Sequence, residues 1–278
     1  MDIDFSLCVD YNDSIKHQEE HIMINPKLII CDIDGTLLPM RTEILPDDLK
    51  QTIQSVVDRG YCFALNTGRQ YSFVRDIFLP LLDRIYIVCQ SGSTMYHNDR
   101  LLLHRPLPRA LCMQIEAYFS SLPGTEYIAS TEKGYYYIGK GPVHEKMQRI
   151  FKAERMVPVE SVSCIPEEIC QMTLYDFQDI VAQRQGVVRM LHGAARASVG
   201  SDLCLDITVG DKATGTRALC EQLGIDVKDA VAFGDNYNDV PMLRVCGEGY
   251  IMSHASEELK KMIPLHCPDV HAYLRRLL

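Results

Sequence analysis

The sequence predicts an α/β fold: a doubly wound parallel sheet interrupted by a smaller, inserted α+β domain. Three observations carry this expectation. Short apolar runs alternate with stretches of helical periodicity from Lys27 onward. Asp32, Thr67 and Asp235 each stand close behind such a run. A parallel sheet would gather them beyond its strand ends, where ligands bind. Between Pro106 and residue 196 the character changes to short strands, turns and helices.

Each element has a local reason. Leu28-Ile29-Ile30-Cys31 is four apolar residues in a row, as suits a strand covered on both faces. Pro46 opens a helix where its missing N–H is harmless; Leu49, Ile53, Val56 and Val57 line one face, and Gly60 stops it. Tyr61 to Leu65 and Ile85 to Cys89 are the second and third strands. Thr94 to Tyr96 and Leu101 to His104 flank His97-Asn98-Asp99-Arg100, a hairpin. In the insertion, Leu111, Ile115, Phe119 and Leu122 mark a helix, and Glu126 to Ala129 and Tyr135 to Ile138 are strands around Gly134. His144 to Ala153 is expected to be helical, Glu168 to Tyr175 a strand, and Asp179 to Leu191 a helix weakened at Gly186.

The first sheet is then expected to resume. Leu203, Leu205 and Ile207 alternate with Asp202, Cys204 and Asp206, and a helix runs from Lys212 to a stop at Gly224. Val231 to Phe233 and Tyr250 to Met252 read as strands, Val240 to Val245 and Val270 to Leu278 as helices. The expected division is an acidic extension over residues 1–24, a core over 25–105 and 197–278, and an inserted domain over 106–196.

Composition narrows the function classes. Hydrophobic residues make up 47% and charged residues 23%, a globular balance. No apolar run approaches the roughly 20 residues of a membrane span, and no basic stretch precedes an apolar core at the N-terminus. The 11 cysteines are scattered without a Cys-x-x-Cys pair, and several lie in strand-like runs, as for buried thiols in a reducing cytoplasm. A formal charge of −9 argues against a nucleic-acid partner. It leaves room for a small phosphorylated ligand, since a local cation outweighs the global field. The histidines form no His-Glu-x-x-His motif for zinc.

The chemistry concentrates in four short stretches. Asp32 and Asp34, two residues apart beyond an apolar strand, repel unless a cation or a proton settles them. That points to a divalent metal site or to acid chemistry. Thr67-Gly68-Arg69 follows the second strand, Lys212 opens a helix, and Gly234-Asp235-Asn236-Tyr237-Asn238-Asp239 follows the strand at Val231. In order and spacing this set resembles the haloacid dehalogenase (HAD) superfamily of phosphatases, and most closely its Cof-type branch with a type-IIB cap. The resemblance runs from Pro26 to the C-terminus.

The resemblance implies a Rossmann-like HAD core, with the insertion as the cap. It implies that Asp32 is a nucleophile forming an aspartyl-phosphate, and that Asp34 first protonates the leaving oxygen and then activates water. Thr67, Gly68 and the Gly35-Thr36 turn would offer a hydroxyl and N–H groups to phosphate, and Lys212 a point charge. Asn238 would lie in the site or support its loop. Mg²⁺ would be held by the Asp32 and Asp235 carboxylates and the Asp34 carbonyl, with Asp239 positioning the ion's water or Lys212. Arg69 is expected to pair with a core carboxylate. The implied activity is Mg²⁺-dependent hydrolysis of a small phosphorylated metabolite, a sugar phosphate or a phosphorylated cofactor, in the cytoplasm. Two alternatives stay open: a phosphosugar mutase and a non-catalytic ligand-binding protein on the same scaffold. Gln90-Ser91-Gly92, where relatives often carry Asn-Gly, could approach the substrate. Tyr135, Tyr136 and Tyr137 could stack on it, and Arg41 could reach an anionic substrate.

Overall fold

A computed structural model describes residues 26–40, 42–138, 156–176, 179–201 and 203–278. The expectations for residues 1–24, Arg41, His144 to Ala153 and Asp202 lie outside these. The first half of the described chain runs β1 Leu28–Cys31, α1 Asp47–Asp58, β2 Cys62–Asn66, α2 Tyr71–Phe78, β3 Tyr86–Cys89, β4 Thr94–His97 and β5 Arg100–His104. There follow α3 Arg109–Ser120, β6 Thr125–Ser130, β7 Tyr135–Ile138, β8 Met156–Val159, β9 Gln171–Asp176, α4 Ile180–Leu191, β10 Arg196–Ser201 and β11 Cys204–Thr208. The last part is α5 Lys212–Leu223, β12 Ala230–Gly234, α6 Val240–Val245, β13 Glu248–Met252, α7 Glu257–Met262, β14 Leu265–Cys267 and α8 Val270–Arg276.

The strands form two sheets. The first has eight strands in the order β14-β13-β12-β1-β2-β3-β4-β5, parallel from β14 to β3 and antiparallel at β4 and β5. The centre of this sheet is β1, and every one of its side chains is buried. Ile29 and Cys31 feed the cluster containing Leu49, Val74 and Leu274, whereas Leu28 and Ile30 feed the one containing Leu219, Leu243 and Leu259. Alternate residues thus serve opposite faces, as a doubly wound sheet requires. The β4–β5 hairpin turns through Asn98 and Asp99 at φ 49° and 60°, the left-handed pair that a tight two-residue loop needs.

The second sheet has six strands in the order β10-β11-β9-β6-β7-β8, antiparallel except for β7 beside β8. One face packs Met172, Leu174, Leu205 and Ile207 with Ile115 and Phe119 of α3 and Val187 of α4. The other carries Ser130, Gln171, Thr173 and Asp206. It meets the first sheet through polar contacts: the Gln90 amide donates to Ser130 Oγ at 2.7 Å, and the Gln70 amide to the Glu132 carbonyl at 2.8 Å.

Two expectations change here. Residues 203–207 were expected in the first sheet, yet β11 pairs with β9 and β10 in the second. The physical reason is visible in the chain: apolar–polar alternation suits an antiparallel strand with one covered face, not a parallel strand covered on both. We therefore propose that the inserted domain extends through Thr208. Gly186 also leaves α4 intact; a Cβ there would fall 2.2 Å from the Tyr118 hydroxyl, so the missing side chain lets α4 lie against α3.

Candidate active site

The C-terminal ends of β12, β1, β2 and β3, four successive neighbours, deliver Asp235, Asp32, Thr67 and Gln90 to one edge of the sheet. Lys212 arrives from the start of α5. Its Nζ donates to Asp32 Oδ1 at 2.6 Å and to Asp239 Oδ1 at 2.5 Å. The ammonium is 1% exposed and Asp239 is fully buried, so both are committed to this contact. Residues 180 positions apart therefore share one hydrogen bond.

Local sequence explains why each group stands where it does. Asp211 caps α5 by accepting from the Thr214 N–H at 2.8 Å, while its own N–H donates to Thr214 Oγ1, and Gly224 ends the helix in the left-handed region. That fixes Lys212 as the first helical residue. Asn66, the last residue of β2, donates to the Lys212 carbonyl at 2.9 Å and to Thr216 Oγ1 at 3.1 Å, locking the helix start to the strand end. After β1 the chain turns sharply, with the Leu38 N–H donating to the Ile33 carbonyl at 2.9 Å. Gly35 takes φ +75° in that turn; a Cβ would lie 2.4 Å from Asp235 Oδ2, so only glycine permits this approach. Asp239 holds the next loop by accepting the N–H groups of Asp235 and Asn236 on Oδ2, both at 3.0 Å.

The electrostatics follow from burial. Carboxylate oxygens of Asp32, Asp235 and Asp239 lie within 4.8 Å of one another. Burial pushes Asp32 upward against the pull of Lys212, and the Asp239 and Asp235 charges add to the push. Asp235 rises to about 6, first through burial and then through Asp239. Burial opposes the Lys212 charge, but Asp239 and Asp32 more than offset it and hold its pKa above the ordinary value. When ionised, these three acids outnumber the one ammonium between them and leave an excess of negative charge in a small volume. A hard divalent cation fits that deficit and that all-oxygen donor set.

The structure brings Asp32, Asp235, Asp239 and Lys212 together. Thr67 is buried beside them at the end of β2; its Oγ1 accepts the Arg69 N–H at 3.1 Å and keeps its own proton to donate. Gly68 is the next residue. Asn238 is part-buried in the Asp235–Asp239 loop, its Oδ1 without a partner among the described residues. Asp34 departs from a simple convergence with Asp32. Both its oxygens accept from Arg69, Oδ2 from Nε at 2.6 Å and Oδ1 from an NH₂ group at 2.5 Å. Strand alternation stops at Cys31, so spacing alone does not carry the Asp34 side chain toward Asp32. Asp239 likewise spends both oxygens on protein donors, which makes it a positioning residue for Lys212 and the loop. Arg69 pairs with a core carboxylate as expected.

Sequence reasoning missed Asn66 and Gln70. The signal was polar residues at or just beyond the ends of apolar strands, where burial forces amides to find partners. Tyr135 gives its hydroxyl oxygen to the Gln70 N–H at 3.3 Å, and Tyr137 donates to Glu126 at 2.6 Å, so both have structural contacts.

Residues 29–271 match the haloacid dehalogenase-like hydrolase family. The chain is 24% identical to a 5-amino-6-(5-phospho-D-ribitylamino)uracil phosphatase of Escherichia coli over 82% of this chain and 86% of that protein. It is 25% identical to an HMP-PP phosphatase of Escherichia coli over 88% of this chain and 90% of that one. Among solved structures, a haloacid dehalogenase-like hydrolase from B. subtilis superposes with a TM-score of 0.78 at 18% identity, covering 91% of this chain and 100% of that chain. A HAD subclass IIB sugar phosphatase gives 0.77 at 19% identity, with the same coverage. With its strand order, its acid cluster and a family match across most of its length, the chain belongs to the haloacid dehalogenase-like hydrolases.

Proposed function

We propose that this protein is a Mg²⁺-dependent phosphatase that hydrolyses a small phosphorylated metabolite through an aspartyl-phosphate on Asp32. The observation that carries the reading is the buried Lys212 ammonium bridging Asp32 and Asp239, with Asp235 within reach of both. Sequence relatives named as phosphatases of small phosphorylated compounds support it. When bound by Asp32, Asp235 and the Asp34 carbonyl, the cation would neutralise the charge of the phosphate and of the pocket.

The chain's own residues do the rest. Lys212 orients Asp32 through Oδ1, leaving Oδ2, which has no hydrogen-bond partner among the described residues, for attack on phosphorus. The Thr67 hydroxyl and the Gly68 N–H donate to the phosphoryl oxygens. The bond to the leaving oxygen breaks, and that oxygen takes a proton from Asp34, which must first release Arg69. Asp34 then removes a proton from water, which attacks phosphorus, frees phosphate and restores Asp32. The second sheet covers the site, limits water and selects the substrate. A mutase would instead return the phosphoryl group to a sugar hydroxyl, and no contact among the described residues favours that outcome.

The test is a phosphate-release screen over phosphorylated metabolites with Mg²⁺, run beside Asp32→Asn. Turnover in the variant is expected to fall at least about a thousandfold. Near-normal turnover would end the mechanism.

A further inference from the structure

The six-stranded sheet turns a polar group toward the phosphate loop that the mechanism does not use. Asp206 on β11 stands opposite Thr173 on β9, on the face away from α3 and α4. Its Oδ1 is fully engaged, accepting from Thr173 Oγ1 at 2.6 Å and from the Gln171 amide at 2.9 Å. No donor among the described residues reaches Oδ2. Asp206 is 7% exposed, and burial raises it to about 6, so near neutral pH it is an ionised acceptor. Oδ2 carries what exposure the residue keeps and can accept from a partner supplied from outside.

The same gap is lined from the first sheet. A Cβ built on Gly68 would lie 3.6 Å from Asp206 Oδ2 and 3.6 Å from Ser91 Oγ, so these two atoms face one point beside the residue that follows Thr67. Ser91 is 2% exposed, and among the described residues neither its hydroxyl nor Gln171 Oε1, next to Asp206, has a partner. The turn that presents Ser91 is strained, with Gln90 at φ 50° and Ser91 at φ 51°, left-handed values unusual for two successive non-glycine residues. Gln90 fixes that turn against the second sheet through Ser130 and against β4 through Thr94.

We propose that Asp206, Gln171 and Ser91 form a leaving-group subsite that receives hydrogen-bond donors on the alcohol side of the phosphoester, the hydroxyls of a polyol or sugar chain. This rests on the phosphatase reading. The phosphate is held at Thr67 and Gly68, so its ester substituent leaves through the gap between the sheets. The acceptors come from both sheets and only one carries charge, which suits several neutral hydroxyls better than a single ammonium. Thr173 is a positioning residue that aims Asp206.

The experiment compares kcat/KM with Mg²⁺ for sorbitol 6-phosphate, phosphoethanolamine and phenyl phosphate in the wild type, Asp206→Asn and Ser91→Ala. The ratio of sorbitol 6-phosphate to phenyl phosphate is expected to fall at least about tenfold in both variants, the scale of a lost hydrogen bond in a buried polar site. Ser91→Ala breaks no hydrogen bond within the described protein, so a purely structural role would leave that ratio in place. Ratios within about twofold of wild type in both variants would overturn the subsite. So would a loss confined to phosphoethanolamine, which would mark an ammonium pocket. Wild-type turnover of phenyl phosphate with an unchanged ratio would leave the phosphatase reading standing; no turnover of any ester would remove both.

Discussion

Asp235→Asn inverts the usual effect of damaging an active site, and the structure supplies the magnitude. The Asp235 side chain is 17% exposed, and burial together with Asp239 raises it from 3.8 to about 6. A carboxyl group with a raised pKa binds its proton more tightly when folded than when unfolded. Its contribution is therefore favourable at low pH, declines as pH rises from the unfolded value toward about 6, and is constant above. Roughly two pKa units correspond to about 3 kcal/mol of destabilisation at pH 8 without metal. Asparagine removes the charge and can still accept from Thr36 Oγ1. Without metal at pH 8 the variant is expected to be more stable than wild type by about 1–3 kcal/mol, with the difference shrinking toward pH 4.5. Adding Mg²⁺ at about a hundredfold its dissociation constant should stabilise wild type by about 2.7 kcal/mol and the variant far less. Urea unfolding at both pH values, with chelator and with Mg²⁺, measures all four terms. A metal-free variant weaker than wild type at pH 8, or equal stabilisation of both proteins by Mg²⁺, would refute the reasoning.

Three further substitutions probe the frame around the acids. Lys212→Met removes the buried ammonium between Asp32 and Asp239 and is expected to lower kcat about 10²–10³-fold, read by steady-state phosphate release. Gly35→Ala places a methyl 2.4 Å from Asp235 Oδ2 at φ +75°; it should weaken Mg²⁺ binding, read by calorimetric titration, and cost about 1–3 kcal/mol of stability. Asn66→Ala leaves the Lys212 carbonyl and Thr216 without their amide partner; a loss of about 1–3 kcal/mol is expected in urea unfolding, with a fall in kcat as the helix start loosens.

Much of the first sheet was legible because its strands are written as unbroken apolar runs, and the chain order of the motifs placed them at neighbouring strand ends. Leu28 to Cys31 shows this most plainly, since every residue is apolar and every one is buried. The second sheet was harder. Its strands read as half-covered, and β11 sits close to the Lys212 helix in sequence, so proximity argued for the wrong sheet while alternation argued for the right one. Side-chain direction beyond a strand end was least accessible. Asp34 is two residues from Asp32, but a turn intervenes and Arg69 takes both its oxygens. Asp206 lies on β11 and Ser91 in the turn after β3, and their approach across the Gly68 gap depends on how the two sheets meet, which no local pattern records.

The claim on which everything else depends is that Asp32 carries the phosphoryl group. Borohydride reduction of the protein during turnover converts an acyl phosphate to an alcohol, and peptide mass mapping then locates the change. The account expects homoserine in place of Asp32, dependent on both substrate and Mg²⁺. Steady phosphate release with Asp32 unmodified throughout would contradict it.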